Sequence, residues 1–194
     1  MRRIPILATI VVMAAVGVMV SLGFWQLRRM HEKEALLARY VAATANPAPV
    51  EWSPAGPGDD MLYRKSRLTC ASVGLRSGIA GRNAAGEPGV AQTARCTLAG
   101  GGTALVVMGW SQQPLAARDW RGGVVTGVIA PGPRLVADPP VAGLQANAVP
   151  DPSDLPNNHL SYAGQWFLFA ATALVIYVLA VRRGKSAGKD QPRA

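Results

Sequence analysis

The chain has 194 residues, of which 49% are hydrophobic, and 20 Lys and Arg against 11 Asp and Glu give a formal net charge of +9. That length leaves room for one modest domain beside any membrane segments. The positive excess sits on Arg2 and Arg3 and on residues 182–194, beside apolar runs, whereas residues 28–154 carry 13 basic and 10 acidic side chains. A nucleic-acid-binding protein would concentrate its charge on the folded domain, so the basicity reads as membrane topology and nucleic acid is not an expected partner.

No side chain between residues 4 and 27 is charged, and residues 6–24 are apolar apart from Thr9 and Ser21. Such a run crosses a hydrocarbon core of about 30 Å, which predicts a first transmembrane helix over residues 4–27. A cleaved signal peptide also begins with Met-Arg-Arg and an apolar run. Here the run outlasts a signal core, and Trp25-Gln26-Leu27-Arg28-Arg29 stands where a small-x-small cleavage site would be, so a retained anchor is expected. Gly17 and Ser21, four apart, offer a small-residue face for a neighbouring helix. Residues 28–40 keep a helical pattern, with Arg28 four positions before Glu32 and able to pair with it. His31 lies among charged residues and reads as solvent-exposed.

Residues 46–60 contain Pro47, Pro49, Pro54, Gly56, Pro57 and Gly58, which sustain neither a helix nor a central strand. Strand-like runs follow at residues 62–70, 90–98, 103–110 and 124–129, with a weaker one at 134–137. A turn-rich loop spans 81–89 and a tight turn Gly100-Gly101-Gly102. Strands in succession without intervening helices predict an antiparallel sheet or small barrel, so the domain is read as mainly antiparallel β within an α+β chain. Cys70 and Cys96, the only cysteines, flank the 81–89 loop near strand ends. Paired across a long hairpin they come within the roughly 5.5 Å Cα separation of a disulfide, which is expected if the domain faces an oxidising compartment. A copper site is the rival reading, although neither Cys-x-x-x-Cys spacing nor a nearby His supports it.

Seven prolines between residues 131 and 156 predict an extended return path to the membrane. Asn157 or Asn158 is a good helix N-cap, and residues 160–181 then run without a charge, long enough for a second transmembrane helix. The basic residues of 182–194 follow directly, while Asp151 and Asp154 precede it. By the positive-inside rule the tail is cytoplasmic, both termini lie on that side, and residues 28–156 lie outside. Arg28 and Arg29 oppose this locally, and the second span decides the assignment.

His159, Tyr162 and Trp166 share one face of the second helix where it meets water. Tyr162 and Trp166 read as an aromatic belt with His159 as a polar residue at its mouth, or His159 reads as a ligand, since a neutral imidazole at an aromatic-walled rim suits a metal or haem iron. Neither membrane helix carries an ionised side chain, so no proton relay is expected. No nucleophile–histidine spacing, carboxylate pair or metal-hydrolase motif is present, and the protein is not read as an enzyme. A membrane hairpin carrying a compact outer domain is the plan of a scaffold or assembly factor.

Asn157-Asn158-His159-Leu160-Ser161-Tyr162-Ala163-Gly164-Gln165-Trp166-Phe167 at the start of the second helix, and Leu22-Gly23-Phe24-Trp25-Gln26-Leu27-Arg28-Arg29 at the end of the first, resemble the two signatures of the surfeit locus protein 1 family. Between them, Gly109-Trp110 and Pro114 are what remains of that family's Val-Asn-Arg-Gly-Trp-Val-Pro, as in a short, diverged bacterial member. The resemblance implies two membrane helices, a periplasmic domain in the bacterial inner membrane, and a role in maturing the catalytic subunit of cytochrome c oxidase alongside other assembly factors. It also implies transient binding of haem a with His159 as axial ligand; a haem at that interface would find apolar walls in Phe24, Trp25, Tyr162 and Trp166. The propionates would pair with Arg28 or Arg29, unless these arginines snorkel to the lipid headgroups. The alternative is a membrane-anchored scaffold that binds oxidase subunits or other assembly factors and never touches haem.

Overall fold

A computed structural model describes residues 6–114 and 119–186, with side chains through Arg183. Arg2 and Arg3, the side chain of Lys185, and Lys189 and Arg193, on which the predicted charge asymmetry partly rests, lie outside the described residues. The described residues form two compact units, one from those up to residue 36 and from residue 156 on, the other from those between 37 and 155.

The first unit is a pair of antiparallel helices. Helix α1, Ile6–Thr44, is continuous for 39 residues, because good helix formers (Ala, Leu, Arg, Glu, Lys) dominate beyond Gln26 and no proline interrupts them. It stops ahead of Asn46-Pro47, where the proline ring disfavours helical backbone in the preceding residue. Helix α2, His159–Ser186, begins after Pro156 and runs 28 residues, the carbonyl of Asn158 accepting its first turn's bond from the Tyr162 N–H. Both contain a window long and apolar enough to cross a membrane, and only 11% and 6% of those windows are buried within the protein. Core helices of a soluble domain would be mostly buried; these leave most of their apolar surface uncovered by the protein.

The helices meet along a seven-residue repeat. On α1 it falls at Thr9, Val16 and Gly23, and on α2 at Ala163, Ala170 and Tyr177. Val16, Ala163 and Ala170 are buried, and the Thr9 and Tyr177 hydroxyls bond at 2.7 Å. Small residues are common at the contacts of paired apolar helices. The face expected to do this, Gly17 and Ser21, does not: nothing lies within 4 Å of where a Cβ on Gly17 would project, and Ser21 Oγ turns back to the Gly17 carbonyl at 2.8 Å. Gly23 takes the role, its absent Cβ leaving the space that the Phe167 ring fills, with Cε1 only 2.5 Å from where that atom would stand.

The second unit is a six-stranded sheet of β1 (Val50–Glu51), β2 (Lys65–Arg82), β3 (Pro88–Leu98), β4 (Thr103–Ser111), β5 (Gly123–Ala130) and β6 (Arg134–Ala137). It runs in the order β1-β2-β3-β4-β6-β5 and closes through a β2–β5 pairing, so five strands ring a core with β1 added outside. The small-barrel expectation is met with a mixed ladder. β1 lies parallel to β2 and β6 parallel to β4, while the other pairings are antiparallel. The cause is the link between β4 and β5, which carries the chain past its neighbouring slot to β2; β6, returning by a short turn from β5, then fills the slot beside β4.

β2 extends well past residue 70, where its sequence pattern suggests an end. Over residues 65–70 it pairs with β5 and alternates exposed with buried, Ser66, Leu68 and Cys70 facing in. From Cys70 onward it pairs with β3 through two register irregularities, and residues 71–82 are Gly- and Ser-rich and mostly exposed, without the alternation by which a strand is recognised. Those irregularities also set the disulfide. Cys70 stands opposite Leu98 and Cys96 opposite Val73, so the two cysteines are not direct cross-strand partners as expected, yet the bulged backbone brings their Cα atoms to 5.3 Å and the bond forms.

Trp110, Met108, Ile129, Leu135, Val106 and Val125 fill the barrel. Trp110 is held by a two-way backbone exchange with Gln145 on the returning segment, 2.7 Å and 3.1 Å. A Cβ on Gly109 would come within 2.9 Å of the Gln145 carbonyl oxygen. The Gly109-Trp110 pair is thus a packing requirement: glycine admits the crossing segment, and the buried tryptophan ring packs against Gly89.

Candidate functional site

The two terminal signatures come together in the helical unit. His159 is the first residue of α2, and its Nδ1 lies 2.7 Å from Oε1 of Gln26, 133 residues earlier on α1. Gln26 is three residues beyond Gly23, hence on the same face of α1. Both side chains are half-buried. Phe24 and Phe167 meet edge to face with ring centroids 5.4 Å apart, and Trp166 packs edge to face on Phe169 at 6.2 Å.

The other residues singled out from sequence lie around this contact, not in it. Trp25 and Tyr162 are 45% and 50% exposed and make no ring contact among the described residues. Arg29 pairs with Glu32 at 2.6 Å, displacing the expected Arg28–Glu32 pair by one position, and Arg28 has no ion pair among the described residues. Exposed His31 meets Glu34 at 3.1 Å. What the structure joins to His159 is a residue not counted among the ligand candidates, Gln26. Its motif neighbour Trp25 attracts notice through its aromatic ring, but a helix turns 100° per residue, and the adjacent amide is the one that faces α2.

The chemistry available here is that of one imidazole. Among the described residues no group of three His, Cys, Asp or Glu could hold a metal ion. A haem needs less from the protein: one axial nitrogen and apolar surface for the macrocycle. His159 offers the first, its Nε2 engaged in no described bond, and Phe24, Trp25 and Tyr162 offer exposed aromatic surface at the same end of the helix pair. The residues fit the group.

A second concave feature belongs to the barrel. Ala91, Val107, Ala130 and Val136 floor a cavity of about 310 Å³ whose walls include Tyr63, Arg134, Asn147, Asp151 and Asp154. Tyr63 adopts φ 64° and packs its ring on Tyr40 at 4.9 Å. Burial, with smaller contributions from Tyr40 and the Asp154 and Asp151 carboxylates, pushes its phenol above the usual range. Asp151 accepts the Ser153 N–H at 2.7 Å, which holds its carboxyl below the usual range.

The model of one protein family, the SURF1 family, matches residues 13–171. No curated protein matches the chain. The matched span takes in both halves of the Gln26–His159 contact and the whole barrel between them.

Proposed function

Because the chain belongs to the SURF1 family, which are assembly factors for cytochrome oxidase and not enzymes, we propose that it assists maturation of the oxidase catalytic subunit by binding haem a through His159. The observation that carries this reading is the meeting of the two terminal motifs at Gln26 and His159, which leaves one imidazole nitrogen available beside exposed aromatic surface. Bound there, haem a would supply the redox-active iron destined for the oxidase; this chain supplies an axial nitrogen and apolar walls from Trp25, Tyr162 and Trp166. Arg28, without a carboxylate partner among the described residues, is available to a propionate, and Arg29 would have to leave Glu32 to do the same.

Two apolar helices and a disulfide-bonded domain fit a membrane protein with its barrel outside the cytoplasm. In the proposed arrangement residues 4–27 and 160–181 span the bacterial inner membrane, residues 28–156 are periplasmic, and the tail from residue 182 is cytoplasmic. Its partners are then the oxidase catalytic subunit, other assembly factors and membrane lipid. The exposure of Trp25 and Tyr162 also suits contacts with a partner's helix, which keeps a scaffold that binds oxidase subunits without haem as the second reading.

The test is the visible spectrum of detergent-purified protein, wild type and His159→Ala, expressed with and without haem a synthesis. A haem a band that requires both the synthesis pathway and His159 is the expected result. A folded wild-type protein that shows no band despite available haem a would overturn the haem reading and leave the scaffold.

A further inference from the structure

An imidazole that binds a metal through one nitrogen does so best when the other ring nitrogen is a donor held by an acceptor, because that bond fixes both tautomer and ring orientation and raises the basicity of the free nitrogen. His159 has such a partner at 2.7 Å, and the atom facing its Nδ1 is the amide oxygen of Gln26, which can only accept. The two residues reside on different helices; nearest to them the seam is small at Gly23 and Ala163, and its other described side-chain hydrogen bond, Thr9 to Tyr177, lies at the far end of the helix pair. It is the one side-chain bond described at the His159 ring, and an acceptor held there favours the tautomer with the proton on Nδ1.

We propose that Gln26 is a positioning residue that holds His159 as the Nδ1–H tautomer and thereby presents Nε2 as the ligand nitrogen. The ligand role rests on the haem reading; the tautomer does not. No bond is made or broken in this assignment, which concerns only where one proton resides in the resting protein.

Nitrogen-15 NMR of the full chain in detergent, labelled at histidine, tests it without haem. The chain has two histidines, so a His31→Asn variant assigns the signals of His159. At a pH about two units above the ordinary imidazole pKa of about 6.5, protonated and bare ring nitrogens are resolved by their shifts and couplings. Wild type is expected to show Nδ1 protonated and Nε2 bare. Gln26→Leu removes the acceptor and shifts the population toward Nε2–H, whereas Gln26→Glu, also an acceptor at that position, retains Nδ1–H. Circular dichroism and gel filtration confirm that each variant is folded. A wild-type spectrum dominated by Nε2–H, which a flipped Gln26 amide would produce, overturns the proposal, and so does a Gln26→Leu protein with the wild-type tautomer. Titration with ferric haem a then separates the two claims. Gln26→Leu is expected to weaken binding about 10- to 100-fold, with Gln26→Glu restoring it. Unchanged affinity in Gln26→Leu overturns the presentation of Nε2 to iron, and absence of binding in wild type overturns the haem reading while the tautomer result stands.

Discussion

Reducing the Cys70–Cys96 bond should cost the barrel a large part of its stability. The cross-link spans 26 residues of sequence, and for a loop of that size the chain-entropy relation gives about 3.5 kcal/mol at 25 °C, nearly as much as the lower end of the 5–15 kcal/mol that holds a typical domain together. Both cysteines are buried, so reductant does not reach the bond in the native protein; it must be broken in denaturant and the chain refolded with its thiols kept reduced. Trp110 and Trp52 are buried in the sheet unit and report its unfolding by fluorescence. With a urea slope of about 2 kcal/mol/M, the reduced protein should unfold at a midpoint about 1.7 M below the oxidised one. A Cys70→Ala/Cys96→Ala variant should fall at least as far, since it also leaves a void. Two alkylatable thiols after refolding, with an unchanged midpoint, would refute the argument that closing the β2–β3 hairpin constrains the unfolded chain.

The other expectations concern the barrel's packing and its ionisation. Gly109→Ala forces a methyl group against the Leu144–Gln145 crossing and should destabilise the sheet unit by about 1–3 kcal/mol, read as a lowered denaturation midpoint, with the His159 spectrum unaffected. Because burial raises the Tyr63 phenol in the folded state above its unfolded value of 10.0, the neutral form is the one that folding favours. That contribution is whole below the unfolded pKa and is lost as pH rises through the folded one, so the barrel should weaken above pH 10.0 and Tyr63→Phe should flatten this alkaline limb.

Much of this architecture is visible in the sequence because its signals are local. A charge-free run longer than a bilayer is thick declares α1 and α2 by itself, and the alternation of residues 65–70 and 124–129 and the short apolar run of residues 104–110 declare strands. The second half of β2 carries no such pattern: Gly74, Gly78 and Gly81 interrupt it and both its faces are largely exposed, so only its pairing with β3 makes it a strand. Barrel closure is equally non-local, since the β2–β5 ladder joins residues some sixty positions apart. The cysteines were recognisable as a pair, but their offset register was not, because a bulge leaves no compositional mark. At the site, His159 and the aromatic residues stand out by type. Gln26 does not, being one ordinary amide whose significance comes from a partner 133 residues away.

That separation has a consequence for biosynthesis. At roughly 5–20 residues per second, a ribosome that has made Gln26 needs on the order of ten seconds to reach His159, and it makes the entire barrel in the interval. α1 can already be in the bilayer and the cysteines already oxidised while the imidazole does not yet exist. The Gln26–His159 contact therefore forms only after the barrel has been made, and a fragment arrested anywhere in the barrel would carry α1 without the imidazole proposed as the haem ligand.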